Sequence, residues 1–314
     1  MTTKALWIFI LNLMLFDILS AQEKDPFKSD TLLINGTKLF VKTVGEGEPL
    51  LFIHGGPGLS HDYFLPHVLP LSDKFKLIFY DQRATGRSDI KVDSSHMSID
   101  YFVDDIESLR KHYHINKINL IGHSWGGFLA ALYAIKYPKT TKSLVFWDSS
   151  PLSSHLRNVM IENQKSKVTK EDVANNLKIM RSEEFKRGDP AEIARLYKAI
   201  FKPSVFIQKL VYKLNFYFNQ NYNQTQYLLG FMYHSMVKYD YYPKLKKVKA
   251  PALIFFGNYD PMPVESSEEL HNRLSNSELI ILKDCGHFPF LEKPQEVFPK
   301  MRDFYQKNSS KKTK

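Results

Sequence analysis

The chain has 314 residues, 43% of them apolar and 24% charged, so it can bury a large core; a disordered chain or a fibrous repeat is excluded. Its single cysteine, Cys285, excludes an internal disulfide framework, a four-cysteine zinc site and a CxxC redox motif. The net charge is +10, four units of which come from lysines among residues 307–314. With no basic-helix or RNA-binding signature, that excess reads as a solvated basic face, and no nucleic-acid partner is expected.

In chain order the first feature is a targeting segment. Lys4 precedes the run 5–19, in which only Asn12 and Asp17 are polar. Spanning a bilayer takes about 20 apolar residues, so a shorter run with a charge inside it reads as a secretory signal peptide over 1–21, with Leu19-Ser20-Ala21 before the cut. The expectation is a secreted or periplasmic protein with no stable membrane span after cleavage; retention as an uncleaved anchor is the alternative. A lone thiol is tolerated in such a compartment when buried.

Asn35-Gly36 separates two strand-like runs, 31–34 and 38–43, and predicts a tight hairpin because both residues tolerate positive φ. Six short apolar runs follow at 50–53, 77–80, 118–121, 144–147, 253–256 and 279–282. None alternates with polar residues, which predicts parallel strands buried on both faces. Between them, Ile99, Phe102, Ile106, Leu109 and Tyr113 recur at helical spacing after Ser98, an N-cap candidate. Phe128, Leu129, Leu132 and Tyr133 do the same among small Gly127, Ala130, Ala131 and Ala134. The fold class is α/β, with core parts at 22–149 and 247–306.

The alternation stops over 150–246, which reads as helices and loops. Residues 201–245 hold 13 aromatic side chains and one acid, Asp240. An aromatic-rich insertion between two sheet strands is a cap, or lid, candidate. Residues 307–314 read as a basic disordered tail.

The chemistry centres on Gly122-His123-Ser124-Trp125-Gly126, which follows one buried strand and opens a helix of small residues. A serine pushed out at so sharp a turn needs small neighbours, and a helix N-terminus aims free N–H groups at developing negative charge. A hydroxyl nucleophile needs a base, and the base needs an orienting acid, in the chain order Ser, Asp, His for this topology. His287 and Asp260 each stand just beyond the end of a predicted strand; Asp148, also at a strand end, is the rival acid. His54 and His123 sit inside motifs and read as supporting residues. The loop His54-Gly55-Gly56-Pro57-Gly58 lets backbone N–H groups approach an oxyanion, so Gly56 (or Gly55) and Trp125 are the expected oxyanion hole.

His54–Gly58, the octapeptide from Asp81 to Ser88 (Asp-Gln-Arg-Ala-Thr-Gly-Arg-Ser) and Gly122–Gly127 together resemble the three signatures of the proline iminopeptidase branch of the α/β-hydrolase superfamily. The resemblance runs from about residue 31 to 305. It implies an α/β-hydrolase fold, a mostly parallel eight-stranded sheet with helices on both faces and a helical cap. It also implies Ser124 as nucleophile, Asp260 as acid, His287 as base, and no metal or other cofactor. Asp81 and Arg83 are expected to form an internal ion pair that pins their loop. The chain departs from the family at Ala84, usually glycine, and at Pro261, where some relatives carry a carboxylate. The expected function is a serine hydrolase working through an acyl-enzyme, an aminopeptidase that removes N-terminal proline from small peptides. The alternative is a carboxylesterase, lactonase or C–C bond hydrolase with a small apolar acyl substrate. The partner in either case is a small-molecule or short-peptide substrate, and the oligomeric state is left open.

Overall fold

The computed structural model describes residues 26–234 and 236–310; the segment read as a signal peptide lies outside them. Strands β1 (Lys28–Ile34) and β2 (Thr37–Val44) pair antiparallel, with Ile34 opposite Thr37. Asn35 and Gly36 turn the chain between them at φ 46° and 79°, as the two-residue hairpin requires.

The six apolar runs are the cores of six further strands: β3 (Glu48–Ile53), β4 (Phe75–Tyr80), β5 (Ile118–His123), β6 (Thr141–Trp147), β7 (Ala252–Gly257) and β8 (Ser277–Leu282). They form one eight-stranded sheet in the order β1-β2-β4-β3-β5-β6-β7-β8, parallel from β4 to β8. Burial on both faces is visible within single strands. In β3, Leu51 and Ile53 enter one apolar core while Leu50 and Phe52 enter the other. Strand β8 departs from the expectation: it is an edge strand with only Leu282 fully buried, and Ile281 is exposed. An edge has one neighbour and is covered on fewer sides, so apolar content alone overstates its burial.

Helix α1 (Ile99–His112) and helix α2 (Trp125–Lys136) pack on one face. Ser98 occupies the N-cap position of α1, without a capping side-chain bond. Between β6 and β7 run α3 (Ser154–Lys167), α4 (Lys170–Met180), α5 (Glu183–Lys186), α6 (Pro190–Phe201) and α7 (Tyr222–His234), joined in part by short 3-10 turns. Four of them start at a capping side chain, where Ser153, Thr169, Ser182 and Asp189 each accept a backbone N–H of the first turn. The chain leaves and re-enters the core side by side, with Ser154 N–H donating to Tyr239 O and Tyr241 N–H to Leu152 O. Helix α8 (Val264–Arg273) links β7 to β8, and α9 (Pro289–Glu292) and α10 (Pro294–Ser310) close the fold.

Two expectations are corrected. The tail does not begin at 307, because α10 continues through Ser310. Phe304 and Tyr305 are buried against the second core, and Asn308 donates its amide to Phe304 O, so docking carries the helix past the first lysine. Nor does Arg83 pair with Asp81. Its Nε donates to Asp105 Oδ2 at 2.8 Å and its Nη1 to His96 O, whereas Asp81 accepts from His61 and from the Arg87 N–H. The two residues are neighbours in sequence but point to different elements. Ala84, next to Arg83, sits at φ 60°, a left-handed position that costs a residue with a Cβ about 1–2 kcal/mol; its buried methyl in the first core offsets part of that.

The Arg83–Asp105 pair is fully enclosed, and removing one partner leaves a buried charge uncompensated. Arg83→Leu should therefore lose about 3–5 kcal/mol of stability in urea unfolding, and adding Asp105→Leu should restore more than half of it.

Candidate active site

The ends of β3, β5, β6, β7 and β8 form one rim, and the candidate residues lie at it, on the loops just beyond the strands or, for Trp125, at the first position of α2. Open parallel sheets place their ligands there because the crossovers leave a crevice at that edge. Ser124 stands between β5 and α2 at φ 54°, ψ −120°, a backbone state that a non-glycine residue keeps only when its surroundings enforce it. They do so through two glycines. A Cβ on Gly126 would collide with the carbonyl oxygen of Ile53, and one on Gly122 with that of Gly126. Helix α2 therefore begins pressed against the end of β3. Ser124 accepts N–H bonds from Gly127, Phe128 and Ser150 at its carbonyl and donates its own N–H to Trp147 O.

His287 and Asp260 meet, as expected: His287 Nδ1 lies 2.6 Å from Asp260 Oδ2, and Asp260 Oδ1 accepts the Met262 N–H at 2.9 Å. With the proton on Nδ1 facing a carboxylate, Nε2 is left as the basic nitrogen. Ser124, Asp260 and His287 are all buried. Ser124 Oγ makes no hydrogen bond to another described residue, so the serine–histidine contact is not closed in this state. The neighbour of Ser124 nonetheless brings the two loops together: His123 Nε2 bonds the His287 carbonyl at 2.7 Å, and the two rings lie 4.7 Å apart.

Asp148, the rival acid, takes a different place. Its Oδ1 accepts the Gly257 N–H at 2.8 Å. Burial first, and the Asp260 carboxylate second, push its carboxyl well above the usual range, which favours its neutral form.

The glycine loop after β3 is organised by a residue that sequence reasoning missed. Tyr63 Oη accepts the Gly55 N–H at 2.6 Å and lies 2.8 Å from His123 Nδ1. Since His123 Nε2–H donates to the His287 carbonyl, Nδ1 accepts from Tyr63. A directed chain thus runs from Gly55 through Tyr63 and His123 to His287. It engages the Gly55 N–H, whereas no bond to another described residue engages the N–H of Gly56, and Trp125 opens a helix whose first N–H groups have no internal acceptor. Of the two glycines considered, Gly56 is the one with a free donor.

Glu292 was missed as well. One oxygen accepts N–H from Gly286 and Phe206, the other from Phe288. The carboxylate thereby brackets His287 on both sides and ties it to the helical insertion, while the His287 N–H donates to Ser204 O. From the insertion, Phe201 also stacks on the imidazole at 5.9 Å and 10°. No motif announces these partners, because Glu292 acts on backbone groups and Tyr63 on one backbone N–H and a histidine distant in sequence.

His54 and His123 are buried neutral. Burial lowers His123 well below its ordinary value and lowers His54 to about 4. His54 Nε2 accepts the Gln82 N–H, and Nδ1 faces the Gly55 carbonyl. His61, Asp62 and Asp81 approach one another closely enough to hold a metal ion. Arg87 already occupies both oxygens of Asp62, however, and His61 Nδ1 lies 2.7 Å from Asp81 Oδ1, so these ligand atoms already have protein partners, while the buried His61 Nε2 has none among the described residues.

The family described as alpha/beta hydrolase fold matches residues 48–294. The proline iminopeptidase of Saccharolobus solfataricus is 28% identical over 274 residues, covering 83% of this chain and 85% of that protein. That of Heyndrickxia coagulans is 28% identical, covering 83% and 91%. Among solved structures, an alpha/beta fold family hydrolase from Bacillus anthracis superposes with a TM-score of 0.70 at 20% identity, covering 88% of this chain and 99% of that one. The proline iminopeptidase of Mycobacterium smegmatis gives 0.67 at 20% identity, covering 90% and 98%.

Two outcomes follow from this geometry. Tyr63→Phe keeps the ring but removes both loop bonds; kcat should fall about ten- to a hundredfold and the melting temperature should drop by several degrees, each lost bond weighing about 1 kcal/mol or more. For His54 the folded value, about 4, lies below the unfolded value of about 6.5, so the unfolded chain binds the extra proton in between. Its contribution, about 3 kcal/mol, is complete above pH 6.5 and is lost as pH falls through 4. Urea unfolding between pH 7 and 4.5 should show that decline, and His54→Gln should flatten it.

Proposed function

This chain belongs to the α/β-hydrolase fold family, and on that premise we propose that it is a serine hydrolase working through an acyl-enzyme. Ser124 Oγ attacks a carboxyl carbon while His287 Nε2 takes its proton, and Asp260 holds the imidazole in the tautomer that this transfer needs. The N–H groups of Gly56 and Trp125 receive the oxygen as it becomes negative, where fixed donors in a dry site act most strongly. His287 then gives the proton to the leaving group, the C–O or C–N bond breaks, and water repeats the sequence to free the acid and restore Ser124. The observation that carries this reading is the 2.6 Å bond from His287 Nδ1 to Asp260 Oδ2, beside a serine in a strained strand-to-helix turn. Every step uses this chain's own groups and water.

The relatives' name, proline iminopeptidase, supports the peptide bond after an N-terminal proline as the bond cleaved. A second reading, hydrolysis of a carboxylic ester, follows the same steps and is favoured by the largely apolar cavity that reaches His287. The signal-like segment at 1–21 supports a reaction outside the cytoplasm.

Ser124→Ala should lower kcat/KM by at least about a thousandfold and abolish labelling by a fluorophosphonate, because the triad members act as a unit. Full activity or full labelling in that variant would sink the proposal.

A further inference from the structure

A cavity of about 490 Å³ leads to the catalytic rim from the helical insertion, a volume suited to a small molecule. Phe201, Pro261, His287, Gln164, Lys165 and Ile200 are among the residues that line it. No carboxylate of a described residue is among the lining groups.

Several carboxylates of the rim and the insertion already have partners. Asp260 is divided between His287 and the Met262 N–H. Glu292 is filled by three backbone N–H groups. The neutral form of Asp148 is favoured, chiefly by its burial. Asp62 spends both oxygens on Arg87, and Asp172 caps α4 beside Lys202. Glu162 is exposed and pairs with Lys165 at 2.8 Å. On the other flank of the glycine loop, Gly58 faces Leu229 and the neutral amide of Gln226.

Removing an N-terminal residue means seating that residue's ammonium group close to the scissile bond. A cation taken out of water without a counter-charge carries a heavy desolvation penalty. We infer that the substrate is an uncharged small carboxylic ester with an apolar acyl or alkyl group, and that a free α-ammonium is excluded. This rests on the acyl-enzyme reading above and names its substrate class. Ester and water enter, the acyl–oxygen bond passes to Ser124 and then to water, the alcohol leaves with the proton from His287, and the acid follows.

The test uses the full chain and two esters that differ by one ammonium, methyl butyrate and methyl 2-aminobutyrate, followed by pH-stat at about pH 6.5, where the amine is still largely protonated, with prolyl-4-nitroanilide alongside. The neutral ester should be favoured in kcat/KM by about a hundredfold or more, a ratio set by the unpaired ammonium, and the prolyl amide should be turned over no faster than the amino ester. Equal rates on the two esters, or preference for either amine, in a protein whose Ser124 labels with fluorophosphonate would overturn the inference and leave the acyl-enzyme intact. Absence of both labelling and turnover would instead remove the reading beneath it. As a second arm, Gln164→Glu places a carboxylate in the cavity wall and should narrow the ester ratio at least about tenfold with an unchanged melting temperature; a ratio that does not move counts against charge exclusion.

Discussion

The close approach of α2 to the ends of β3 and β5 is the constraint on which the rest of the site depends. Gly122 and Gly126 permit it because any side chain there would run into a carbonyl oxygen. The approach holds Ser124 at positive φ, puts the free N–H of Trp125 at the rim, and seats the β3 loop next to the serine. Strain of this kind persists only where packing over-determines it. Here the helix is buried along most of its length against the first core.

The other loops are fitted to that turn by hydrogen bonds to backbone groups. Tyr63 and His123 join Gly55 to the carbonyl of His287, and both are enclosed in aromatic neighbours such as Phe288 and Phe290. Low polarity around such a chain strengthens each bond and makes an unpaired member costly, and it keeps His123 neutral. Glu292 works in the same way from the opposite side and adds the insertion to the assembly. Because Phe201, Ser204 and Phe206 all contact the His287 loop or its anchor, the position of the base and the position of the insertion are not independent. Cys285, buried in the second core with its thiol raised by burial, donates to the Gly286 carbonyl at 3.6 Å.

Legibility in the sequence followed the range of the interaction. The hairpin at Asn35-Gly36 was readable because two adjacent residues set it. The strands were readable because burial on two faces leaves continuous apolar runs, and the exception, β8, fails where its neighbours on one side are missing. Ser124, Asp260 and His287 could be placed because each occupies a stated position relative to a strand end. Arg83 shows the opposite case: its partner, Asp105, lies on α1, and nothing in the local octapeptide distinguishes it from Asp81.

By itself the sequence determined the α/β class, the succession of buried strands along the chain, the sharp serine turn and the residue types at the rim. These rest on periodicity, on turn chemistry and on glycine at fixed offsets, all of which act over a few residues. The tertiary structure alone decided that Arg83 meets Asp105 and not Asp81, and that Tyr63 engages the N–H of Gly55 and not that of Gly56. Each of those is a choice between chemically equivalent groups. It is made by which partners the folded backbone brings within about 3 Å, the range over which a hydrogen bond forms.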